Sequence, residues 1–355
     1  MSKLVAAMIV KNEGHILRRC FDSIKPYVDH IIVNDNGSTD DTQKILDEYN
    51  CIQVPSNWVD FATNRNLVLN VARQWGDYIL CGIDADEVLC MNGLQFPTFW
   101  ADAYNIMLHL PPLIYPRVAI VKSTTPWYWR GVVQEGLYCD GGPTTVVGIE
   151  GIHIQSYRDG ARSKDPKTQE NDLDVLVRAA EKSGYKDPRL VFYTAQQYKD
   201  MRQYDKAIHW YNIRINLEGY KEEVWMSHYM LARIKEWQGG DPVRDYLEVY
   251  EMDPRRAEPL YYAAEWCRQR GKYHMATMMA CIAGSIKATK EALFIDADVY
   301  DWAVYDVIAS AAWYTPMREL GEEAAKLLLK EQRFPEQHRG RIEANLKFYT
   351  GAKNG

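Results

Sequence analysis

Leu4-Val5-Ala6-Ala7-Met8-Ile9-Val10, followed at once by Lys11-Asn12-Glu13-Gly14, decides the fold class. Seven unbroken apolar residues make a strand buried on both faces, which belongs in a parallel sheet covered by helices. The run is too short for a membrane span or for a signal h-region with its cleavage site. Working outward, helix-like stretches at residues 14–24, 39–49 and 61–74 alternate with apolar runs at 30–34, 52–54 and 78–83. Further strands are expected at 106–110, 117–121 and 151–155. This βαβ rhythm predicts a Rossmann-like, mostly parallel sheet with helices on both faces. Ser38 or Thr39 would cap the second helix, and Asp40-Asp41 suit its positive dipole end.

The chain has 355 residues and a formal charge of −6, enough for two domains with proper cores. Residues 1–160 hold 12 Lys/Arg against 18 Asp/Glu, and the remainder is balanced at 30 against 30, so the acidity belongs to the N-terminal part. An acidic domain is a poor grip for a polyanion, which disfavours nucleic acid as partner. If it binds phosphates, a divalent cation is expected to help. The seven cysteines are odd in number and lack a C-x-x-C pair, which fits reduced thiols and a cytoplasmic location.

From Asp187 onward the pattern is helical and repeats. Asp187-Pro188 recurs as Asp253-Pro254, 66 residues on, close to twice the tetratricopeptide period of roughly 34. Tyr193-x-Ala195 followed by Tyr204-x-x-Ala207 is echoed by Tyr262-x-Ala264 followed by Tyr273-x-x-Ala276, the second alanine falling 12 residues after the first in both. Residues 225–238 with 243–251, and 300–313 with 318–329, supply two further helix pairs. The expected organisation is an α/β domain over 1–160, a basic linker and connecting helix over 161–186, and an all-α tetratricopeptide-like repeat domain over 187–355. A generic helical bundle is the alternative for the last.

Ile83-Asp84-Ala85-Asp86-Glu87 ends an expected strand with three carboxylates in four residues. In open α/β sheets ligands sit beyond the carboxyl ends of strands, so these acids face the expected crevice. One carboxylate of a D-x-D can hold a divalent metal and the other a ribose hydroxyl; hard oxygen ligands suit Mg²⁺ or Mn²⁺. Asp35, at the end of Ile31-Ile32-Val33-Asn34, would face the same crevice. Gly37, Ser38 and Thr39 beside it also read as a turn with a helix cap.

Four segments in register, Met8-Ile9-Val10-Lys11-Asn12-Glu13, Val33-Asn34-Asp35-Asn36-Gly37-Ser38-Thr39-Asp40-Asp41-Thr42, Trp58-x-Asp60-Phe61-x-x-x-Arg65-Asn66 and Ile83-Asp84-Ala85-Asp86-Glu87, resemble inverting family 2 glycosyltransferases of the GT-A fold. More narrowly the chain is similar to the K-N-E branch, whose catalytic domain precedes tetratricopeptide repeats. The resemblance implies that Lys11, Asn12, Glu13 and Asp35 hold the nucleotide's base and ribose. It implies Arg65 near the nucleotide or in a salt bridge to Asp84 or Asp86, Asp84 near the ribose or donor sugar, and Asp86 on an Mn²⁺ or Mg²⁺ ion that bridges the diphosphate.

The branch usually shows W/Y-x-G-x-x-H-E, and here Trp129-Arg130-Gly131-Val132-Val133-Gln134-Glu135 departs by Gln134. Glu135 is the expected general base. His153 is expected as a further metal ligand, with Arg158, Lys164 and Lys167 closing over the diphosphate. Trp58 and Trp129 offer rings to an acceptor, core packing being their alternative role. The implied activity is metal-dependent inverting transfer from a nucleotide diphosphate sugar, UDP-linked by family habit, to an acceptor hydroxyl of a glycan, protein or peptide. A repeat scaffold with a degenerate catalytic domain and a sugar-nucleotide nucleotidyltransferase are the alternatives. A homodimer through the repeats is also open.

Overall fold

The computed structural model describes residues 2–111, 113–141, 145–288 and 294–351. It divides the chain into two compact units, one ending at Lys182 and one starting at Ser183. Among the described residues, no helix is long and apolar enough to cross a membrane.

In the first unit the strands are β1 (Leu4–Val10), β2 (His30–Asp35), β3 (Ile52–Gln53), β4 (Tyr78–Leu80), β5 (Glu87–Cys90), β6 (Ala103–Leu110), β7 (Leu113–Lys122), β8 (Trp127–Arg130), β9 (Gly136–Cys139) and β10 (Val146–Ser156). The helices are α1 (Leu17–Ile24), α2 (Thr42–Glu48), α3 (Phe61–Ala72), α4 (Ala161–Lys164) and α5 (Thr168–Lys182). Eight strands form one sheet in the order β3-β2-β1-β4-β7-β6-β10-β5, and β8 pairs with β9 in a separate ribbon. The β3-β2-β1-β4 half and the β6-β10 pair are parallel. Contacts of β7 with β4 and β6, and of β5 with β10, are antiparallel.

β1 is buried on both faces, as its unbroken apolar run requires. Leu4, Ala6, Met8 and Val10 join one core with Leu17, Phe21 and Ile24 of α1 and Ile45 and Leu46 of α2. Val5 and Ala7 point the other way, into a core with Val68, Leu69 and Ala72 of α3 and Trp127 and Trp129 of the ribbon. The period of two along the strand thus divides β1 between the layers.

Several boundaries differ from the sequence reading. The run 78–83 leaves the sheet after Leu80, because Gly82 lies against the backbone of Val118 and Ala119, where a Cβ would come within 2.7 and 2.8 Å. The acids that follow are therefore on a loop, and Glu87 opens a short strand that the alternation did not reveal. Neither Ser38 nor Thr39 caps α2: that helix starts at Thr42, whose N–H donates to Asp40 Oδ1 at 3.0 Å. Residues 161–182, expected as linker and connecting helix, lie within the first unit as α4 and α5.

The second unit is helical: α6 (Pro188–Asp200), α7 (Tyr204–Ile215), α8 (Lys221–Trp237), α9 (Val243–Met252), α10 (Glu258–Gln269), α11 (Tyr273–Ser285), α12 (Val304–Ala311), α13 (Arg318–Glu331) and α14 (Arg339–Gly351). Consecutive helices pack on one another as the tetratricopeptide-like pairs the repeat predicts. Ala195, Ala207, Ala264 and Ala276 are all fully buried, the small side chains that let paired helices approach. Buried Arg214 is paired with Glu223 at 3.1 Å and also donates to the carbonyls of Leu217 and Tyr220, which fixes the α7–α8 turn. Ala207→Leu should overpack the first pair and cost about 1–3 kcal/mol in urea unfolding. A variant as stable as the parent would mean that the helices do not meet there.

Candidate active site

The ends of β1 and β2 are locked to each other by short side chains. Asn12 takes a left-handed backbone, φ 56°, and its N–H donates to Ser38 Oγ at 2.8 Å while its Oδ1 accepts the Thr39 N–H at 2.7 Å. Asp35 Oδ1 accepts the N–H of Ser38 at 3.0 Å and its hydroxyl at 2.7 Å. Asp35 thus holds the turn and stands at the carboxyl end of β2. The turn that the sequence reading placed at Gly37, Ser38 and Thr39 thus enlists Asp35 as well.

Beneath this edge lies a polar hub that the sequence reading missed. Buried Asn64 donates through Nδ2 towards Asn34 Oδ1 and Asn36 Oδ1, both at 2.9 Å, and Ser56 Oγ at 3.0 Å, while its Oδ1 accepts the Val59 N–H at 3.0 Å. Three asparagines scattered at 34, 36 and 64 give no periodic signal. Only the unusual polarity of Asn34 at the end of an apolar strand could have pointed to it.

Arg65, one residue further on α3, is 10% exposed and bridges two carboxylates. Its Nη2 meets Asp84 Oδ1 at 2.6 Å and its Nε meets Glu135 Oε1 at 2.7 Å. The guanidinium also lies over the Trp129 ring, 4.9 Å from its centroid. Burial favours loss of its proton, but the two acids outweigh it and hold Arg65 above its ordinary value. Partial desolvation pushes Asp84 up, and Arg65 and Arg117 outweigh that and hold it below the usual carboxylate range. The bridge brings the expected donor-side acid and the expected base to one cation, and it occupies Arg65 in a salt bridge to Asp84.

Glu135 reaches this place on the β8–β9 ribbon. Gly131 (φ 114°) and Gln134 (φ 55°) shape the tight connection, and Gln134 is exposed. The ribbon is tied to α3 by Asn66, whose side chain exchanges two hydrogen bonds with the backbone of Trp129, at 2.7 and 2.8 Å. Trp129 is buried in that packing, so its expected part as an acceptor platform gives way to its alternative role in the core. Trp58 remains 44% exposed, edge-to-face with Phe61.

Asp86 stands apart from these pairs. Burial, and then the charges of Asp84 and Asp159, push its carboxyl up. Among the described residues, no Lys or Arg pairs with it. Glu13 lies close by: Gly160 is within reach of both, a Cβ there falling 3.4 Å from Glu13 Oε1 and 3.6 Å from Asp86 Cβ. A crowd of acids without its own cation fits a divalent ion held by one or two carboxylates and completed by phosphate oxygens. Among the described residues, no three His, Cys, Asp or Glu converge as a full metal cage. His153 does not join Asp86. It lies on β10 opposite Cys90, three residues before Ser156, stacked on His109 with centroids 4.2 Å apart and facing Asn92.

The chain after β10 folds back over this acidic edge. The Ala161 N–H donates to both Glu13 oxygens at 3.1 and 3.2 Å, and Arg19 forms two hydrogen bonds to Asp159 at 2.7 and 2.8 Å. Lys11 and Lys164 are exposed side chains at this rim.

Residues 6–95 match the family model described as Glycosyl transferase family 2. Over 93 residues the chain is 39% identical to a TPR repeat-containing protein of Synechococcus elongatus, covering 26% of this chain and 22% of that one. Over 89 residues it is 35% identical to an uncharacterized glycosyltransferase of Rickettsia felis, covering 25% and 30%. The chain thus spans less than a third of the length of these curated relatives. Solved structures similar to it include MamA (TM-score 0.37, 14% identity, 49% of this chain and 88% of that one). S. aureus TarS 1–349 in complex with UDP is another (TM-score 0.32, 11% identity, 91% of each). The stretch that matches the family model holds Asp35, Arg65, Asp84 and Asp86.

Glu13 supplies a test of the acidic edge. Burial, with help from Asp86 and Asp40, pushes its carboxyl from 4.5 up to about 7, against the Ala161 N–H. The folded protein therefore holds a proton that the unfolded chain releases, so this residue favours folding most below pH 4.5 and progressively less as pH rises to 7. Glu13→Gln keeps an acceptor for Ala161. In metal-free buffer it should gain about 1–2 kcal/mol at pH 8 and nothing at pH 4, read by urea unfolding at both values.

Proposed function

We propose that the N-terminal unit is an inverting glycosyltransferase that moves a sugar from a nucleotide diphosphate donor, UDP-linked, to an acceptor hydroxyl. The observation that carries this reading is the Arg65 bridge between Asp84 and Glu135. In-line displacement at an anomeric carbon needs donor and base fixed on opposite sides of the reacting atom, and one buried guanidinium anchored to both acids fixes that relation. Glu135 accepts the proton of the attacking hydroxyl. Arg65 orients its carboxylate, and Asp84 takes the donor's ribose or sugar hydroxyls.

Asp35 and the Asn12 turn receive the nucleoside at the ends of β2 and β1. Asp86 is the residue assigned to hold Mn²⁺ or Mg²⁺, with the diphosphate supplying further oxygens. Such an ion stabilises negative charge on the leaving nucleoside diphosphate. Trp58 offers the exposed ring face to the acceptor, and Lys11 and Lys164 lie at the donor's rim.

Nucleotide binding and donor hydrolysis by water test this reading without an identified acceptor. UDP, GDP, CMP and dTDP are screened by thermal shift with and without Mn²⁺, a ligand of the folded state raising Tm by mass action. Asp86→Ala should abolish the Mn²⁺-dependent shift. Glu135→Gln should keep the shift and lower turnover by about 10²–10⁴-fold, the span of general-base catalysis. Unchanged turnover in Asp86→Ala would remove the metal assignment, and loss of nucleotide binding in Glu135→Gln would make Glu135 a structural acid.

A further inference from the structure

Helix α5 lies in the stretch that composition marks as a connection, yet one of its side chains faces the candidate site. Asp172 accepts hydrogen bonds from Arg162 Nη2 on both carboxylate oxygens, at 2.6 and 2.8 Å. The Arg162 guanidinium lies over Phe61, 4.3 Å from the ring centroid. Phe61 is the first residue of α3, the helix that carries Arg65. The charge of Arg162 is felt at Asp84, which it helps to keep ionised. Asp172, in turn, is raised by burial and by the charge of Glu135, against the pull of Arg162. Arg162 and Asp172 therefore flank the Asp84–Arg65–Glu135 bridge.

This ion pair is built to be exchanged. Arg162 is 46% exposed, so water competes for its charge and weakens the ion pair. A diphosphate carries more negative charge than one carboxylate and presents oxygens that match the guanidinium fork. The Phe61 ring under the guanidinium can hold Arg162 whichever anion it meets.

We propose that Asp172 is a positioning residue, which parks Arg162 over Phe61 and gives it up to the diphosphate of the donor. This rests on the nucleotide-sugar reading of the site. The stretch after the β10 strand thus supplies a cation that the sequence reading assigned to Arg158, Lys164 and Lys167, and α5 supplies its resting partner.

Calorimetry on the full chain with UDP and UMP, in Mn²⁺, separates the outcomes, because only UDP carries the second phosphate. Asp172→Asn removes the competing carboxylate and should bind UDP about five-fold more tightly, the scale of a released exposed ion pair, with UMP unchanged. Arg162→Ala should weaken UDP about ten-fold and UMP far less, with part of the loss restored in Arg162→Lys. In the Arg162→Ala background, Asp172→Asn should have no effect, the non-additivity expected of residues acting through one another.

Circular dichroism melts confirm that each variant is folded. If Asp172→Asn leaves both affinities unchanged, weakens both, or still strengthens UDP binding without Arg162, the exchange is overturned while the nucleotide reading stands. If the parent chain binds neither UDP nor GDP, CDP or dTDP, the nucleotide reading itself fails, and the exchange with it.

Discussion

A guanidinium that is nine-tenths buried has to be neutralised, and the first unit is arranged around meeting that demand at Arg65. Asp84 and Glu135 do so from two parts of the chain that share no strand pairing. Taking away Arg65 would leave the largely buried Glu135 carboxylate without the cation it meets here, a far larger penalty than the pair's own contribution. The arrangement therefore fixes the loop after β4 and the β8–β9 ribbon relative to each other. α3 is the axis for both. Asp60 caps it by accepting the Thr63 N–H at 2.7 Å, Asn64 gathers the ends of β2 and the residues after β3, Asn66 holds Trp129, and Arg73 donates to the carbonyls of Ser123, Thr125 and Trp127.

A second buried pair completes the loop of acids. Glu87 accepts from Arg117 at 2.6 and 3.1 Å and from the Asp84 N–H at 2.9 Å, while Arg117 also donates to the Gly82 carbonyl. Of the three carboxylates in the D-x-D-E run, Asp84 and Glu87 are thus bound to arginines. Among the described residues, Asp86 alone of the three has no arginine partner. Sequence proximity made the three look equivalent, and their separate partners make them different.

Much of this was legible because it rests on local pattern. The double burial of β1, the two parallel partners beside it and the helix pairs marked by Ala195, Ala207, Ala264 and Ala276 follow from periodicity and residue size. The place of Asp35, Asp84 and Asp86 at or beyond the carboxyl ends of β2 and β4 follows from their position after apolar runs. What periodicity could not show were contacts between residues far apart in the chain: Asn64 with Asn34 and Asn36, Arg117 with Glu87, and Arg162 with Asp172. The strand ending at Leu80 depends on the close approach of Gly82 to Val118, again a long-range fact. His153 and Trp129 were judged by neighbours in sequence, and tertiary packing gave each another partner.

The ribbon that carries Glu135 has its own two-stranded sheet and lies outside residues 6–95. It is moored through side chains on a single helix, not through the hydrogen-bonded ladder of the main sheet. A ladder transmits any change of register to every strand in it, whereas a moored ribbon transmits little. Residues 127–139 can therefore be viewed as a cassette: its outward-facing positions are free to vary as long as Trp129 and Glu135 keep their places against Asn66 and Arg65. The eight-stranded sheet would not be disturbed. Variation and constancy would then have separate physical seats within one unit.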